Sequence, residues 1–267
     1  MQITNNTLII SMTSWPRRIH YVSKVLYSLL KQNVEKTKYH LVLVLAEPEF
    51  PNKEKDLPND LKLFIDNGLV ELIWYKRNIF SHKKLMPVLQ KYPNNSILVT
   101  DDDICRKTDW LLSFMEMHAK HPNDIITGLY CYTYEVKNGK IIQTKIFNRF
   151  YEQTNNGKLI NFARPANGAG GTLYPPGTFT DKRFFDEDLY MKVSPTSDEM
   201  WQWCFNVIEN KNIFKATCKI PINWVSGSQK VGLYKINSDK KYEDIFNKIC
   251  EAIPDFKTAL LKRLSNV

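Results

Sequence analysis

The chain has 267 residues, 43% hydrophobic and 24% charged, a globular balance that excludes a disordered, collagenous or coiled-coil protein and allows a substantial core. Its 37 Lys and Arg exceed 28 Asp and Glu, and the formal charge of +9 suits phosphate-bearing ligands or an anionic membrane surface without choosing between them. No apolar run approaches the roughly 18 residues that span a bilayer, and MQITNNTLIISM lacks the basic region and apolar length of an export signal, so a soluble or peripheral cytoplasmic protein is expected.

In chain order, TLIISM at 7–12 reads as a first strand. Ile19, Val22, Leu26, Leu29 and Leu30 recur at helical spacing, which predicts an amphipathic helix over 19–32. HLVLVLA at 40–46 is almost wholly apolar, as a central strand covered on both sides should be. LVELIWY at 69–75 is a third strand, and HKKLMPVLQKY is a short helix at best, because Pro87 lacks a backbone donor. SILVT at 96–100 is a fourth strand, ending in Asp101, Asp102 and Asp103. Trp110, Leu111, Phe114 and Met117 mark another helix, and DIITGLYCYTY a further strand.

Up to about residue 135 this is a repeated strand-then-helix order, half of a doubly wound sheet. The regularity then weakens. Gly168, Gly170, Gly171 and Gly177 crowd into 168–177, which points to a tight backbone approach or special turns. A helix resumes near Ser197, IFKATCKIPI is a late strand, and Ile245, Phe246, Ile249 and Ile253 form a final stripe with a basic tail. No linker is visible, so one domain over 1–267 is expected. Cys105, Cys131, Cys204, Cys218 and Cys250 are odd in number and lack C-x-x-C spacing, which fits reduced thiols.

The triple aspartate carries the strongest chemical signal. Adjacent carboxylates repel unless a cation or helix terminus compensates them. Side chains at i and i+2 leave a strand on the same side, so Asp101 and Asp103 can converge on one hard cation, Mg²⁺ or Mn²⁺, while Asp102 points elsewhere. The carboxyl end of a parallel strand is also where open α/β sheets bind ligands. The plainer reading makes these residues a solvated turn or the cap of the helix near Thr108.

Lys83 and Lys84 precede that strand and either neutralise a diphosphate or form a solvated helix face. Thr196 or Ser197 reads as an N-cap with Asp198 and Glu199 in the first turn; alternatively one of these acids is a general base. On residue types alone the cap is favoured. Trp201 and Trp203 are a wall for a sugar ring or core residues, and His118 and His121 read as solvated. Walker A, G-x-G-x-x-G and G-x-S-x-G fingerprints are absent.

SMTSWPRRI, the lysines at 83 and 84, LVTDDDI, GAGGTLYPP and SDEMWQW together resemble bacterial glycosyltransferases of the GT-A fold, of the type that builds capsular or lipopolysaccharide glycans. The resemblance spans roughly residues 7–235. It implies an α/β fold with a Rossmann-type, mainly parallel central sheet and helices on both faces, with a nucleotide-binding half to 135 and an acceptor-binding half from 136. It implies that Thr13, Ser14 and Arg17, with Arg18 as companion, hold the base and ribose. Asp101 and Asp103 match the residues that contact the ribose and a divalent cation, Asp102 stands with them at the donor, and Gly170 and Gly171 match a backbone floor beneath the sugar. Asp198 matches the acid that deprotonates the acceptor in inverting members, which lifts that role above capping.

One departure concerns the metal. Many members supply a late histidine ligand, whereas the last histidine here is His121, so water or a late residue such as Gln229 takes that place or the cation is held weakly. The implied activity is metal-dependent transfer from a nucleoside diphosphate sugar, a UDP-sugar, to a glycan or lipid-linked acceptor. The C-terminal stripe with Lys257, Lys262 and Arg263 either makes a peripheral membrane contact or, the favoured reading, packs against the sheet with its charges in solvent. The competing readings are a metal-dependent phosphatase or nucleotidyltransferase, for which SMTSWPRRI offers neither an Asp nucleophile nor a Gly-rich loop, and a nucleic-acid-binding protein. Dispersed Lys and Arg argue against nucleic acid as a partner.

Overall fold

The computed structural model describes residues 3–146, 153, 155–217, 222–231 and 239–265. Strand β1 (Leu8–Thr13) leads into a 3-10 turn and helix α1 (Val22–Leu30), followed by β2 (Tyr39–Ala46), α2 (Asn59–Asp66) and β3 (Glu71–Tyr75). Next come a 3-10 turn (Phe80–Lys84), α3 (Met86–Lys91), β4 (Ile97–Val99), β5 (Ile104–Cys105), α4 (Trp110–Lys120) and β6 (Ile125–Thr127). The second half holds β7 (Tyr130–Lys137), β8 (Lys140–Lys145), β9 (Ala163–Pro165), the single turn α5 (Asn167–Gly170) and β10 (Thr172–Tyr174). It closes with α6 (Glu187–Val193), α7 (Asp198–Ile208), β11 (Ile213–Lys215), β12 (Asn223–Trp224), α8 (Asp239–Ala252) and α9 (Pro254–Ser265).

The main sheet has seven strands in the order β11-β6-β10-β4-β1-β2-β3. Strands β3, β2, β1 and β4 run parallel, as the strand-then-helix pattern requires. The β2 run is buried along nearly its whole length because it lies between β1 and β3, and β3 is only half-buried because it is an edge. Strand order reverses beside β1, so the chain leaving β1 and the chain leaving β4 diverge and open a crevice at their carboxyl ends. Beyond β4 the sheet changes sense: β10 is antiparallel to both β4 and β6, and β11 pairs parallel with β6.

DIITGLYCYTY is two strands rather than one. The chain breaks at Gly128 and Leu129, leaving β6 in the main sheet and sending β7 to a separate antiparallel sheet ordered β8-β7-β9. Pro87 lies in the first turn of α3, where its missing N–H costs no helical bond, so it starts a helix that the sequence pattern made it appear to weaken. Of the late strand IFKATCKIPI, Ile213–Lys215 is β11, while residues 218–221, with Cys218, lie outside the described residues. Cys105, Cys131, Cys204 and Cys250 are free thiols.

The C-terminal stripe is core. Ile245, Ile249, Ile253, Phe256 and Leu260 are buried, and Phe256 meets Trp203 edge-on at 5.4 Å between ring centroids. Arg263, expected in solvent with Lys257 and Lys262, is itself buried and donates to the Lys211 carbonyl. The apolar side of this hairpin is therefore occupied by the protein. Among the described residues, no helix is long and apolar enough to cross a membrane.

Trp201 and Trp203 are likewise interior: Trp201 donates to the Phe184 carbonyl at 3.0 Å and Trp203 stacks on Tyr134 at 4.4 Å. They form no exposed sugar platform. His118 and His121 are not simply solvated either, because His118 bonds Ser96 Oγ at 2.9 Å and His121 stacks on Phe214 at 3.7 Å.

Candidate functional site

The three aspartates lie in the crevice between the ends of β1 and β4, as expected from the sequence, but their arrangement differs from a continuing strand. Strand β4 stops at Val99, and residues 101–103 form a turn before β5, so strand alternation no longer dictates where the carboxylates point. Asp102 and Asp103 converge instead, on Arg18: its Nη2 lies 2.6 Å from Asp102 Oδ1 and also contacts Asp103 Oδ2. Asp101 turns to Lys84, whose Nζ is 2.9 Å from Oδ1. Capping of α4 is excluded, since that helix starts at Trp110 behind Asp109.

The segment after β1 closes the other wall. Ser14 Oγ donates to Asp102 Oδ2 at 2.5 Å across the crevice, while Thr13 Oγ1 is turned to the Val44 carbonyl at 2.7 Å. Arg17 is exposed and lies over the Trp15 ring at 5.6 Å, so the arginine that reaches the aspartates is Arg18. Lys83 and Lys84 are buried rather than a solvated helix face. Lys83 pairs with Glu49 at 2.5 Å and Asn78 at 3.2 Å, and Lys84 also lies 3.6 Å from Asp198 Oδ2.

Burial and crowding set the protonation pattern. Burial, with Asp101 and Asp102 nearby, pushes Asp103 up to about 7 against the pull of Arg18. Burial also raises Asp102, with Arg18 and Ser14 opposing it. For Asp101 burial acts in the same upward sense, but Lys84 outweighs it and holds the carboxyl below its ordinary value. Burial alone would lower Lys84; Asp101 and Asp198 reverse that and raise it.

The glycine-rich run forms the third wall. A Cβ on Gly168 would stand 1.6 Å from Asp101 Oδ1, so only glycine lets this backbone pass the carboxylate. Gly171 has φ +84°, and its missing side chain faces Trp110. The space a Gly170 side chain would need is filled by the Leu129 backbone, so Gly168 is the glycine that abuts the aspartates.

Arg106, which nothing in its sequence context singled out, ties this wall to the strand end. Its guanidinium donates to the Gly168 carbonyl at 2.6 Å, the Ala169 carbonyl at 2.7 Å and Thr100 Oγ1 at 2.6 Å, and it lies over Trp110 at 4.8 Å.

The acidic opening of α7 provides the fourth side. Ser197 occupies the N-cap position, yet its side chain makes no cap bond and, among the described residues, its buried Oγ has no hydrogen-bond partner. Asp198 is buried, with Lys84 and Gln202 Nε2 (3.4 Å) both at Oδ2. Glu199 is raised by burial and then by Asp198, and accepts from Tyr242 at 3.4 Å.

A divalent cation has one clear opening here. Among the described residues, buried Asp103 Oδ1 has no hydrogen-bond partner, and a hard cation would satisfy it. Gln229 Nε2 donates to the other oxygen, Oδ2, at 2.6 Å, so the late residue anticipated for the metal site does reach this carboxylate, as a hydrogen-bond donor. Among the described residues no group of three or more His, Cys, Asp or Glu surrounds one point. The donor set therefore fits an ion of the Mg²⁺ kind, bound by one or two carboxylates and completed by water and substrate phosphate.

No protein-family model and no curated protein matches the sequence. Solved structures do. The fold is similar to S. aureus TarS 1–349, at 14% identity over 92% of this chain and 72% of that one, with a TM-score of 0.54. The same segment in complex with UDP-GlcNAc matches at 14% identity, 97% and 71% coverage and a TM-score of 0.57; in complex with UDP it matches at 14%, 97% and 70%, and 0.54. The fold is the GT-A type. In it the β1–β4 crevice, the glycine wall and the start of α7 enclose a single acidic site.

Proposed function

We propose that this protein is a glycosyltransferase that moves a sugar from a nucleoside diphosphate donor, a UDP-sugar, to a hydroxyl of a growing bacterial surface glycan of the capsular or lipopolysaccharide type. The observation that carries this reading is the meeting of Asp101, from the aspartate turn, with buried Asp198 through buried Lys84, at the carboxyl ends of parallel strands. Structures of similar fold solved with UDP and UDP-GlcNAc support the choice of donor.

On this reading Thr13, Ser14, Arg17 and Arg18 lie along the base and ribose, and Asp101 and Asp102 approach the ribose. The loop of Gly168, Gly170 and Gly171 backs the sugar. Asp103, with Asp101 as second ligand, would hold Mn²⁺ or Mg²⁺, which when bound neutralises charge on the departing diphosphate. Asp198 takes the proton of the acceptor hydroxyl as its oxygen bonds the anomeric carbon, and the bond from that carbon to the diphosphate oxygen breaks, its electron pair leaving with UDP. The acceptor enters from the side of α7, where Glu199 is the neighbouring acid. Arg18 faces the donor phosphates on leaving the aspartates to the cation.

Calorimetry of UDP with Mn²⁺ and with EDTA tests this on wild type and Asp103→Asn. Binding is expected only for wild type with Mn²⁺; equal affinity in all four conditions removes the cation from the site. Asp198→Asn is expected to keep donor binding and lose roughly 10²- to 10⁴-fold in turnover, whereas a larger loss from Glu199→Gln reassigns the base.

A further inference from the structure

Lys84 stands between the two acidic elements, and its surroundings argue against a phosphate ligand. Its side chain is 7% exposed, whereas the Asp101 side chain it pairs with is 31% exposed, so the carboxylate and not the ammonium faces the crevice. Its other partner, Asp198, is 3% exposed. The turn that carries Lys84 is fastened to the approach of α7 by a second bond. His82, fully buried, donates from Nε2 to the Ser194 carbonyl at 2.8 Å and stacks on Tyr190 at 4.5 Å. Lys84 and Gln202 meet the same oxygen of Asp198, Oδ2, from the 3-10 turn and from the next turn of α7, which fixes the rotation of that carboxylate.

We propose that Lys84 is a positioning residue for Asp198: it bridges Asp101 and Asp198, sets the base at a fixed distance from the donor site, and does not itself bind the diphosphate. This rests on the reading of Asp198 as the base. The physical requirement is simple. A buried carboxylate and a partly buried one approach one another, both ionised, only with a cation between them, and a reacting base displaced by about 1 Å can lose around 10²-fold in rate. A lysine that held the diphosphate would have to abandon both acids on donor binding, leaving Asp198 without its counter-ion at the moment of reaction.

The test uses UDP as binding probe and UDP-GlcNAc as donor probe, both with Mn²⁺, which compensates Asp101 when Lys84 is changed. Lys84→Gln is expected to bind UDP within about threefold of wild type and to release UDP from UDP-GlcNAc about 10²-fold more slowly. Lys84→Gln combined with Asp198→Asn should be no slower than Asp198→Asn alone, since a residue acting through the base has nothing left to position. A tenfold or greater loss of UDP affinity in Lys84→Gln, or losses that multiply in the double variant, overturns the proposal. Wild-type turnover in Asp198→Asn alone would instead show that the base assignment has failed. Should Lys84→Gln not fold, Lys84→Arg, which can keep both ion pairs, must release UDP within tenfold of the wild-type rate; a folded Lys84→Arg that binds UDP normally but is slower than that overturns the bridge.

Discussion

Replacing Arg106 by methionine probes the tie between the glycine wall and the aspartate turn. The guanidinium serves two buried carbonyls, Gly168 O and Ala169 O, and Thr100 Oγ1; among the described residues no other cation bonds these acceptors, although Gly168 O also accepts the Asp101 N–H at 3.3 Å. Burial lowers its pKa to about 10, Asp101 and Asp103 opposing the fall, so it remains charged at neutral pH. Methionine keeps the apolar stem over Trp110 but leaves the Ala169 carbonyl unserved and the Gly168 carbonyl with only the Asp101 N–H at 3.3 Å, a loss of about 1–3 kcal/mol at each acceptor. Part of that is offset because no guanidinium has to be desolvated, and a net loss of about 3 kcal/mol is expected.

For a chain of this size that corresponds to a fall of about 6–12 °C in Tm. Urea unfolding should show a lower midpoint at unchanged slope. Arg106→Lys should recover only part of the loss, because an ammonium lacks the planar fork that reaches two carbonyls together. UDP binding should weaken as well, since Gly168 abuts Asp101. A loss below about 1 kcal/mol in Arg106→Met, or full recovery by lysine, would refute the view that this residue holds the two loops together.

Two further outcomes follow from regions outside the crevice. Glu71 accepts from His40 Nε2 at 2.7 Å and from Lys91 and Tyr92; burial alone would raise it, but these bonds bring it down to about 2 from 4.5. A depressed carboxyl stabilises the fold above its unfolded value and loses that contribution as pH falls towards the folded one. Glu71→Gln should therefore cost about 1–2 kcal/mol at pH 7 after allowance for solvent screening, with the difference narrowing as pH drops from about 4.5 towards 2; a constant difference across that window counts against the network. Ending the chain at Asp239 removes Ile245, Ile249, Ile253, Phe256 and Leu260 from the core, on the order of 10 kcal/mol of burial and comparable with a whole domain's stability. The shortened protein should aggregate and the full chain should not sediment with anionic liposomes; a folded truncation that alone loses liposome binding would reverse the assignment of the stripe to the core.

Local chemistry made much of this molecule legible. The apolar run of β2 needs cover on both faces whatever surrounds it, and the helical spacing of Val22, Leu26 and Leu29 needs one buried face, so the parallel β1–β4 half follows from short-range pattern. Carboxylates at a strand end, glycines in a cluster and acids opening a helix are equally visible, because each reports a constraint carried by the residue itself. The antiparallel insertion of β10 and the division of DIITGLYCYTY between two sheets were not visible, since strand pairing is decided by partners far along the chain.

The same distinction separates the site residues. Asp101, Asp102 and Asp103 stood out by type and position, whereas Ser14 and Asp198 were singled out only through the family resemblance, since residue types alone favoured a helix cap at 196–199. Arg18 over Arg17, Arg106 on the glycine carbonyls, Gly168 against Asp101 and the burial of Lys84 between two acids were decided only when loops from both halves met. A charged side chain in sequence carries no sign of its counter-charge, and the energy of a buried ion pair depends on distance and desolvation, both of which exist only in the folded chain.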